Sequence, residues 1–191
     1  MAKEVLEQIF NSPVKVKLLK LFLRNEDQSF TFFEIARRIK SSSSPCKREL
    51  KKLHDIRFVV TRRRDKKKIY SVNPYFDFYK ELKTLILKSS PTSKKKILKK
   101  IRSLGGVKLA IISGVLINAE NSRVDIMLVG DNINKRKISN LLADLEADVG
   151  KEIDYVILDT AEFDYRYKMF DRFLRDVLEQ PHEKLINKLK I

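Results

Sequence analysis

The stretch Ser44-Pro45-Cys46-Lys47-Arg48-Glu49-Leu50-Lys51-Lys52-Leu53-His54-Asp55-Ile56-Arg57-Phe58-Val59-Val60-Thr61-Arg62-Arg63-Arg64-Asp65-Lys66-Lys67-Lys68-Ile69-Tyr70-Ser71-Val72 decides how the first half of the chain folds. Its period changes midway. Cys46, Leu50 and Leu53 recur at helical spacing, behind a serine cap and a proline whose missing N–H costs nothing at a helix start. Phe58 to Thr61 and Ile69 to Val72 are instead short runs rich in β-branched and aromatic residues, the composition of strands. The cationic run from Arg62 to Lys68 separates them. The pattern predicts a helix followed by a hairpin with a charged tip.

The flanks extend this. Ser12-Pro13 opens a helix whose Val14, Leu18, Leu21 and Phe22 share a face. Thr31 with Glu34 is a capping box that opens a second helix through Phe32, Ile35, Ala36 and Ile39. Asn73-Pro74 is expected to begin a helix carrying Phe78, Leu82, Leu85 and Ile86. Two short helices joined by a short polar turn, the second starting at Ser44-Pro45, form a helix-turn-helix unit.

Charge singles out the same half. The 191 residues carry 41 Lys and Arg against 25 Asp and Glu, a net +16 with both histidines neutral. Residues 1–105 hold 28 basic and 10 acidic side chains, and residues 106–191 hold 13 and 15. A strongly cationic half points to a polyanionic partner. The single cysteine, Cys46, excludes a disulfide framework and a cysteine zinc site. At a helix start it is either a thiol sensor or, as its place in the apolar stripe favours, a core residue. His54 and His182 make no ligand pair, and no metal site is expected. No apolar window is long enough to span a bilayer, so no membrane partner is expected. Acidic residues at positions 4 and 7 do not suit a secretory signal, and a cytoplasmic protein is expected.

The order helix, helix, helix, hairpin, helix, with the run Leu50-x-x-Leu53-x-x-Ile56-x-Phe58-Val59 and a hairpin closing on Tyr70, resembles the winged helix-turn-helix regulators of the arsenical-repressor-like group. Arg57 stands where such proteins often have glycine, and the tip has none. The resemblance implies a transcriptional regulator that binds double-stranded DNA in a sequence-specific way, usually as a homodimer. The helix from about Pro45 to His54 then lies in the major groove. Ser42, Ser43 and Ser44 meet phosphate at its N-terminus. Lys47, Arg48, Lys51 and Lys52 lie off the Leu50/Leu53 stripe, and Arg48 is the first candidate for a guanine edge. Arg62, Arg63, Arg64, Lys66, Lys67 and Lys68 track the backbone or enter the minor groove. A further basic helix with Lys94, Lys95, Lys96, Lys99, Lys100 and Arg102 could reach adjacent phosphates.

In the second half Val107 to Ile112, Val124 to Val129 and Ile153 to Leu158 read as buried strands. A helix runs from Ile138 to Val149 with Gly150 as its stop. Thr160 caps a long helix with Phe163, Tyr167, Phe170, Leu174 and Val177, and Pro181 separates it from a last short helix. Its aromatics exceed what one core face needs, which makes it a candidate dimer contact. Strands with intervening helices give an α/β arrangement with a mixed sheet.

The segments Ile112-Ser113-Gly114-Val115 and Ser122-Arg123-Val124-Asp125-Ile126-Met127-Leu128-Val129-Gly130 resemble the minimal nucleotidyltransferase domains of the polymerase-beta-like superfamily. Such domains carry Gly-Ser after the first strand, two acids at i and i+2 on the second, and a third acid later. The carboxylates hold paired metals for phosphoryl transfer. Here Gly114, Asp125 and Asp154 match, while Val115 replaces the serine and Arg123 the first acid. An ion pair of Arg123 with Asp125 and Asp154 is expected, and no catalytic residue is assigned.

The expectation is therefore an α+β protein: a winged helix-turn-helix domain over residues 1–90, a basic linker helix over 91–103, and a degenerate nucleotidyltransferase-like domain over 104–191. That last domain dimerises or binds a nucleotide without turnover. No cofactor is expected. The alternative is an active nucleotidyltransferase that uses magnesium and a nucleoside triphosphate and holds nucleic acid with its basic half. A third reading is an RNA-binding protein.

Overall fold

The computed structural model describes residues 2–88, 93–119 and 122–191, with side chains from Val5 onward. Apart from Ser93, the polar boundary predicted at residues 89–93 lies outside the described residues. The chain is α+β and divides into two compact units, residues 1–89 with 146–151, and residues 90–145 with 152–191.

The first unit runs α1 (Ala2–Ile9), α2 (Pro13–Arg24), β1 (Phe30–Thr31), α3 (Phe32–Arg38), α4 (Ser43–Asp55), β2 (Val59–Arg64), β3 (Lys67–Val72) and α5 (Tyr79–Lys88). The strands form an antiparallel sheet in the order β1-β3-β2. The predicted caps form. Ser12 Oγ accepts from the Lys15 amide at 3.1 Å, and Thr31 with Glu34 makes both arms of a capping box. Leu18, Phe22, Ile35, Leu50, Leu53 and Phe58 lie in one buried core. Lys20 is buried in this unit because its ammonium donates to the Asp148 carbonyl at 3.2 Å.

Both ends of the helical pair turn through a left-handed residue that is not glycine. After α3, Lys40 has φ +49°, the Lys40 amide bonds the Arg37 carbonyl and the Ser41 amide the Ala36 carbonyl. After α4, Arg57 has φ +61°, the Arg57 amide bonds the His54 carbonyl and the Phe58 amide the Leu53 carbonyl. This bond pair is the Schellman closure. It forms with arginine at the glycine position because Phe58 is buried against the core and fixes the chain's exit.

Several predicted elements differ. The helix predicted from Ser44-Pro45 begins at Ser43, with Ser42 as the capping residue; Pro45 fits in its first turn, where its missing donor would be unpaired. The hairpin strands run into the charged segment, which leaves only Asp65 and Lys66, at φ +49° and +62°, as a two-residue turn. The helix predicted from Asn73-Pro74 starts at Tyr79. Asn73 instead accepts from the Tyr75 amide at 3.1 Å and donates to the Arg57 carbonyl at 2.9 Å, which holds the chain in a turn.

The second unit contains α6 (Lys94–Arg102), β4 (Val107–Ser113), a single 3-10 turn at Gly114–Leu116, β5 (Ile126–Gly130), α7 (Lys135–Val149, its last turn counted with the first unit), β6 (Tyr155–Leu158), α8 (Thr160–Lys168), α9 (Arg172–Glu179) and β7 (His182–Asn187). The sheet order is β6-β5-β4-β7, with β5 and β6 parallel and the other pairs antiparallel, so the sheet is mixed. Leu109, Ile111, Met127 and Val129 pack with Phe163, Leu174 and Val177. Ala110, Ile112, Ile126 and Leu128 alternate with them and are buried as well. A sheet covered on both faces explains the near-continuous apolar runs.

Three corrections apply here. The predicted linker helix is not separate: α6 belongs to the second unit, buries Ile97 and Ile101, and touches β4 and β7. The predicted long helix is two, capped by Asp159 and Asp171 rather than by Thr160. Asp171 Oδ1 accepts from the Leu174 amide at 3.0 Å and restarts the helix after a left-handed Phe170. The segment after Pro181 is the strand β7, not a helix, because it pairs with the open edge of β4.

Replacing Arg57 with glycine removes the cost of a left-handed side-chain-bearing residue. Urea unfolding is expected to show a gain of about 1 kcal/mol; a loss of stability would mean that the Arg57 side chain itself holds the turn.

Candidate nucleic-acid interface

Helix α4 has a buried and an exposed side because Cys46, Glu49, Leu50 and Leu53 form its buried stripe. Ser42, Ser43, Ser44, Lys47, Arg48, Lys51 and Lys52 are all exposed. On a helical wheel Ser44, Arg48 and Lys51 centre the outward face, with Lys47 and Lys52 at its shoulders. The Ser42 side chain makes no capping bond. Burial raises the Cys46 thiol pKa, so this residue is a packing group rather than a reactive thiolate.

Glu49 is the residue that sequence reasoning missed. A glutamate in a cationic run reads as surface, yet here it is buried. Lys52 Nζ lies 3.1 Å and Arg48 Nε 3.4 Å from its Oε1, and Lys15 Nζ of α2 lies 3.6 Å from its Oε2. Burial pushes the carboxyl pKa up, but the Lys52 hydrogen bond and charge, with Arg48 and Lys15, outweigh it and hold the group below its ordinary value. One carboxylate thus draws two outward cations into fixed positions and ties α4 to α2. The spacing of Glu49 from Cys46 and Leu53, three and four residues, is the signal that could have placed it on the buried side.

The hairpin carries the other cations. Arg63 faces Lys68 directly across the strands, and Arg64 faces Lys67. Like charges at opposite positions destabilise a strand pair. Arg62, Arg63, Arg64, Lys66, Lys67 and Lys68 are all exposed. Arg64 has Asp65 at 3.9 Å, and the Lys68 ammonium sits 5.3 Å from the Tyr70 ring centre. The first unit therefore combines an outward cationic helix face with a cationic hairpin that touches that helix through β2.

The second cluster of predicted residues lies in the second unit. Asp125 is buried, and its carboxylate bridges two backbone segments. Oδ1 accepts from the Val115 amide at 2.7 Å, and Oδ2 accepts from the Asp154 amide at 3.0 Å. Asp125 N–H in turn donates to the Asp154 carbonyl at 2.7 Å. Gly114 is required beside it: at φ +52° a Cβ would stand 2.2 Å from Asp125 Oδ1. The expected ion pair of Arg123 with Asp125 and Asp154 does not form. Arg123 Nη2 and Nε instead meet Asp176 Oδ2 of α9 at 2.6 and 2.9 Å. Asp154 contributes its backbone, and its side chain is exposed. The motif that resembles a metal site is used here to join β4, β5 and β6. Among the described residues, no group of three or more His, Cys, Asp or Glu is placed to hold a metal ion.

Asp131 has a similar structural role. Its carboxylate accepts from the Thr160 amide at 3.1 Å and hydroxyl at 2.8 Å, with Lys108 Nζ at 2.9 Å. The Lys108 and Thr160 bonds hold its pKa down to about 2. On α6, Lys94 pairs with Glu183 at 2.7 Å and Lys100 pairs with Asp144, so both meet acids of their own unit.

No protein-family model matches the chain, and no curated protein or solved structure matches it. The functional reading therefore rests on the residues themselves.

Two outcomes are expected. Asp125→Ala leaves two backbone amides without their carboxylate and lowers stability by about 3 kcal/mol in urea unfolding; an unchanged midpoint would mean the bridge is dispensable. Glu49 has a depressed folded pKa, so its stabilisation is complete above the ordinary value of 4.5 and is lost as pH falls through the lower folded value. Thermal unfolding between pH 6 and pH 3 (roughly the carboxylate range) should decline less steeply in Glu49→Gln than in the parent chain.

Proposed function

We propose that the first unit is a winged helix-turn-helix module that binds double-stranded DNA, and that the chain is a sequence-specific transcriptional regulator. In this reading α4 enters the major groove and the β2–β3 hairpin is the wing. The observation that carries it is the hairpin pairing, Arg63 opposite Lys68 and Arg64 opposite Lys67, beside an outward helix face of Lys47, Arg48 and Lys51. Like charges held opposite one another cost stability in the free protein. A polyphosphate backbone removes that cost, because each neutralised phosphate also releases counterions.

The contacts divide by chemistry. Ser42, Ser43 and Ser44 meet phosphate at the helix start, where the dipole also favours an anion. The hairpin cations meet backbone and give affinity without sequence information. Glu49 engages Arg48 through Nε, and the two Nη groups are the ones assigned to O6 and N7 of guanine. The second unit carries a nucleotidyltransferase-like fold in which Asp125 is structural, and the proposal gives it no catalytic role. No helix among the described residues is long and apolar enough to cross a membrane.

Fluorescence anisotropy with a labelled duplex tests the reading. The logarithm of the binding constant should fall linearly with the logarithm of salt, by about 0.9 per phosphate neutralised. Changing Arg62, Arg63 and Arg64 together to alanine should lower the slope by about 3 and weaken all duplexes alike, whereas Arg48→Ala should alter the preference among sequences. A salt-independent isotherm contradicts the mechanism. Stronger competition by structured RNA than by duplex would favour an RNA-binding protein, since side chains cannot read the deep A-form groove.

A further inference from the structure

The elbow between α8 and α9 exposes apolar side chains that the fold does not cover. Phe170 is 78 % exposed, Tyr165 67 % and Met169 63 %. Beside them the two helices enclose a groove of about 820 Å³ whose apolar wall is Tyr167, Phe170, Leu174 and Leu178. Contiguous apolar surface of this kind marks an interaction site more often than an ordinary exterior.

Phe170 is also conformationally unusual. It has φ +52°, its amide bonds the Tyr167 carbonyl, and the Asp171 amide bonds the Arg166 carbonyl. This is the helix-end closure that normally uses glycine, and a bulky residue there is an outlier. Nothing in its own fold buries the ring in return. A strained, exposed phenylalanine at the edge of an apolar groove is a projecting anchor.

The rim of the groove narrows the choice of occupant. It consists of Lys168, Asp171, Arg175 and Glu179, two cations and two anions that alternate along the chain. A nucleic acid or an acidic peptide would meet Asp171 and Glu179, and a basic partner would meet Lys168 and Arg175. A surface bearing the same balanced set meets neither difficulty. In a two-fold interface each copy offers its cations to the other's acids, because one patch faces itself. We infer that the α8–α9 elbow is a homodimer interface in which Phe170 of each copy enters the groove of the other. This surface stands on the second unit alone, and it holds whether or not the first unit binds DNA.

Sedimentation equilibrium of the full chain without nucleic acid tests it. The parent chain should be a dimer that does not grow further, since a two-fold contact closes. Phe170→Asp should raise the dissociation constant by about thirtyfold or more, the loss that a central aromatic anchor carries. Phe170→Gly guards against a folding artefact, because glycine suits the left-handed position. It should weaken the dimer while its unfolding midpoint, measured at a concentration where both chains are monomeric, is no lower than the parent's. A parent chain that stays monomeric overturns the inference, as does a Phe170→Gly chain that dimerises like the parent. Association that continues beyond two copies would also overturn it.

Discussion

The stripe of Cys46, Glu49, Leu50 and Leu53 determines which way α4 faces, and the rest of the first unit follows from it. Burying those residues turns Lys47, Arg48 and Lys51 outward on a helix otherwise rich in charge. An apolar stripe alone would set the orientation loosely. Glu49 adds a directional constraint, because a buried carboxylate must keep cations beside it. Lys15 secures it to α2, while Lys52 and Arg48 are drawn along the surface of α4. The same group therefore contributes to packing and sets the array of positive charge.

The hairpin shows the opposite balance. Its lower part, Val59 and Val72, is buried in the core, and its upper part opposes cation to cation. Its turn is closed by Asp65 and Lys66 in left-handed conformations. Local stability would favour glycine at the turn and mixed charge on the strands. A segment that departs from both rules while anchored at its base is what a functional projection looks like. In the second unit the departure runs the other way. Residues that resemble a catalytic motif, Gly114 and Asp125, satisfy local packing and backbone bonding so fully that their geometry has a structural explanation.

Much of this was legible in the sequence, for identifiable reasons. The caps at Ser12 and at Thr31 with Glu34 are local, as is the periodicity of Leu50 and Leu53, so they read directly. The apolar strands of the mixed sheet read from composition. What failed depended on distant partners. The residues after Pro181 form a strand only because β4 offers an edge. Arg123 chose Asp176, more than fifty residues later, over the acids expected beside it. Glu49 looked like surface because its cations come partly from another helix. The break at Phe170 was hidden because no glycine or proline marks it. The exposed positions of the candidate DNA-contacting residues followed from the helical period and the charge run, and their burial pattern agrees with that reasoning.

The most direct measurement is amide hydrogen exchange of the full chain with and without a mixed-sequence DNA duplex at low salt. The account predicts added protection concentrated in residues 42–52 and 62–68, with the sheet of the second unit unchanged. Protection confined to the second unit, or none at all under conditions where the duplex is bound, would contradict it.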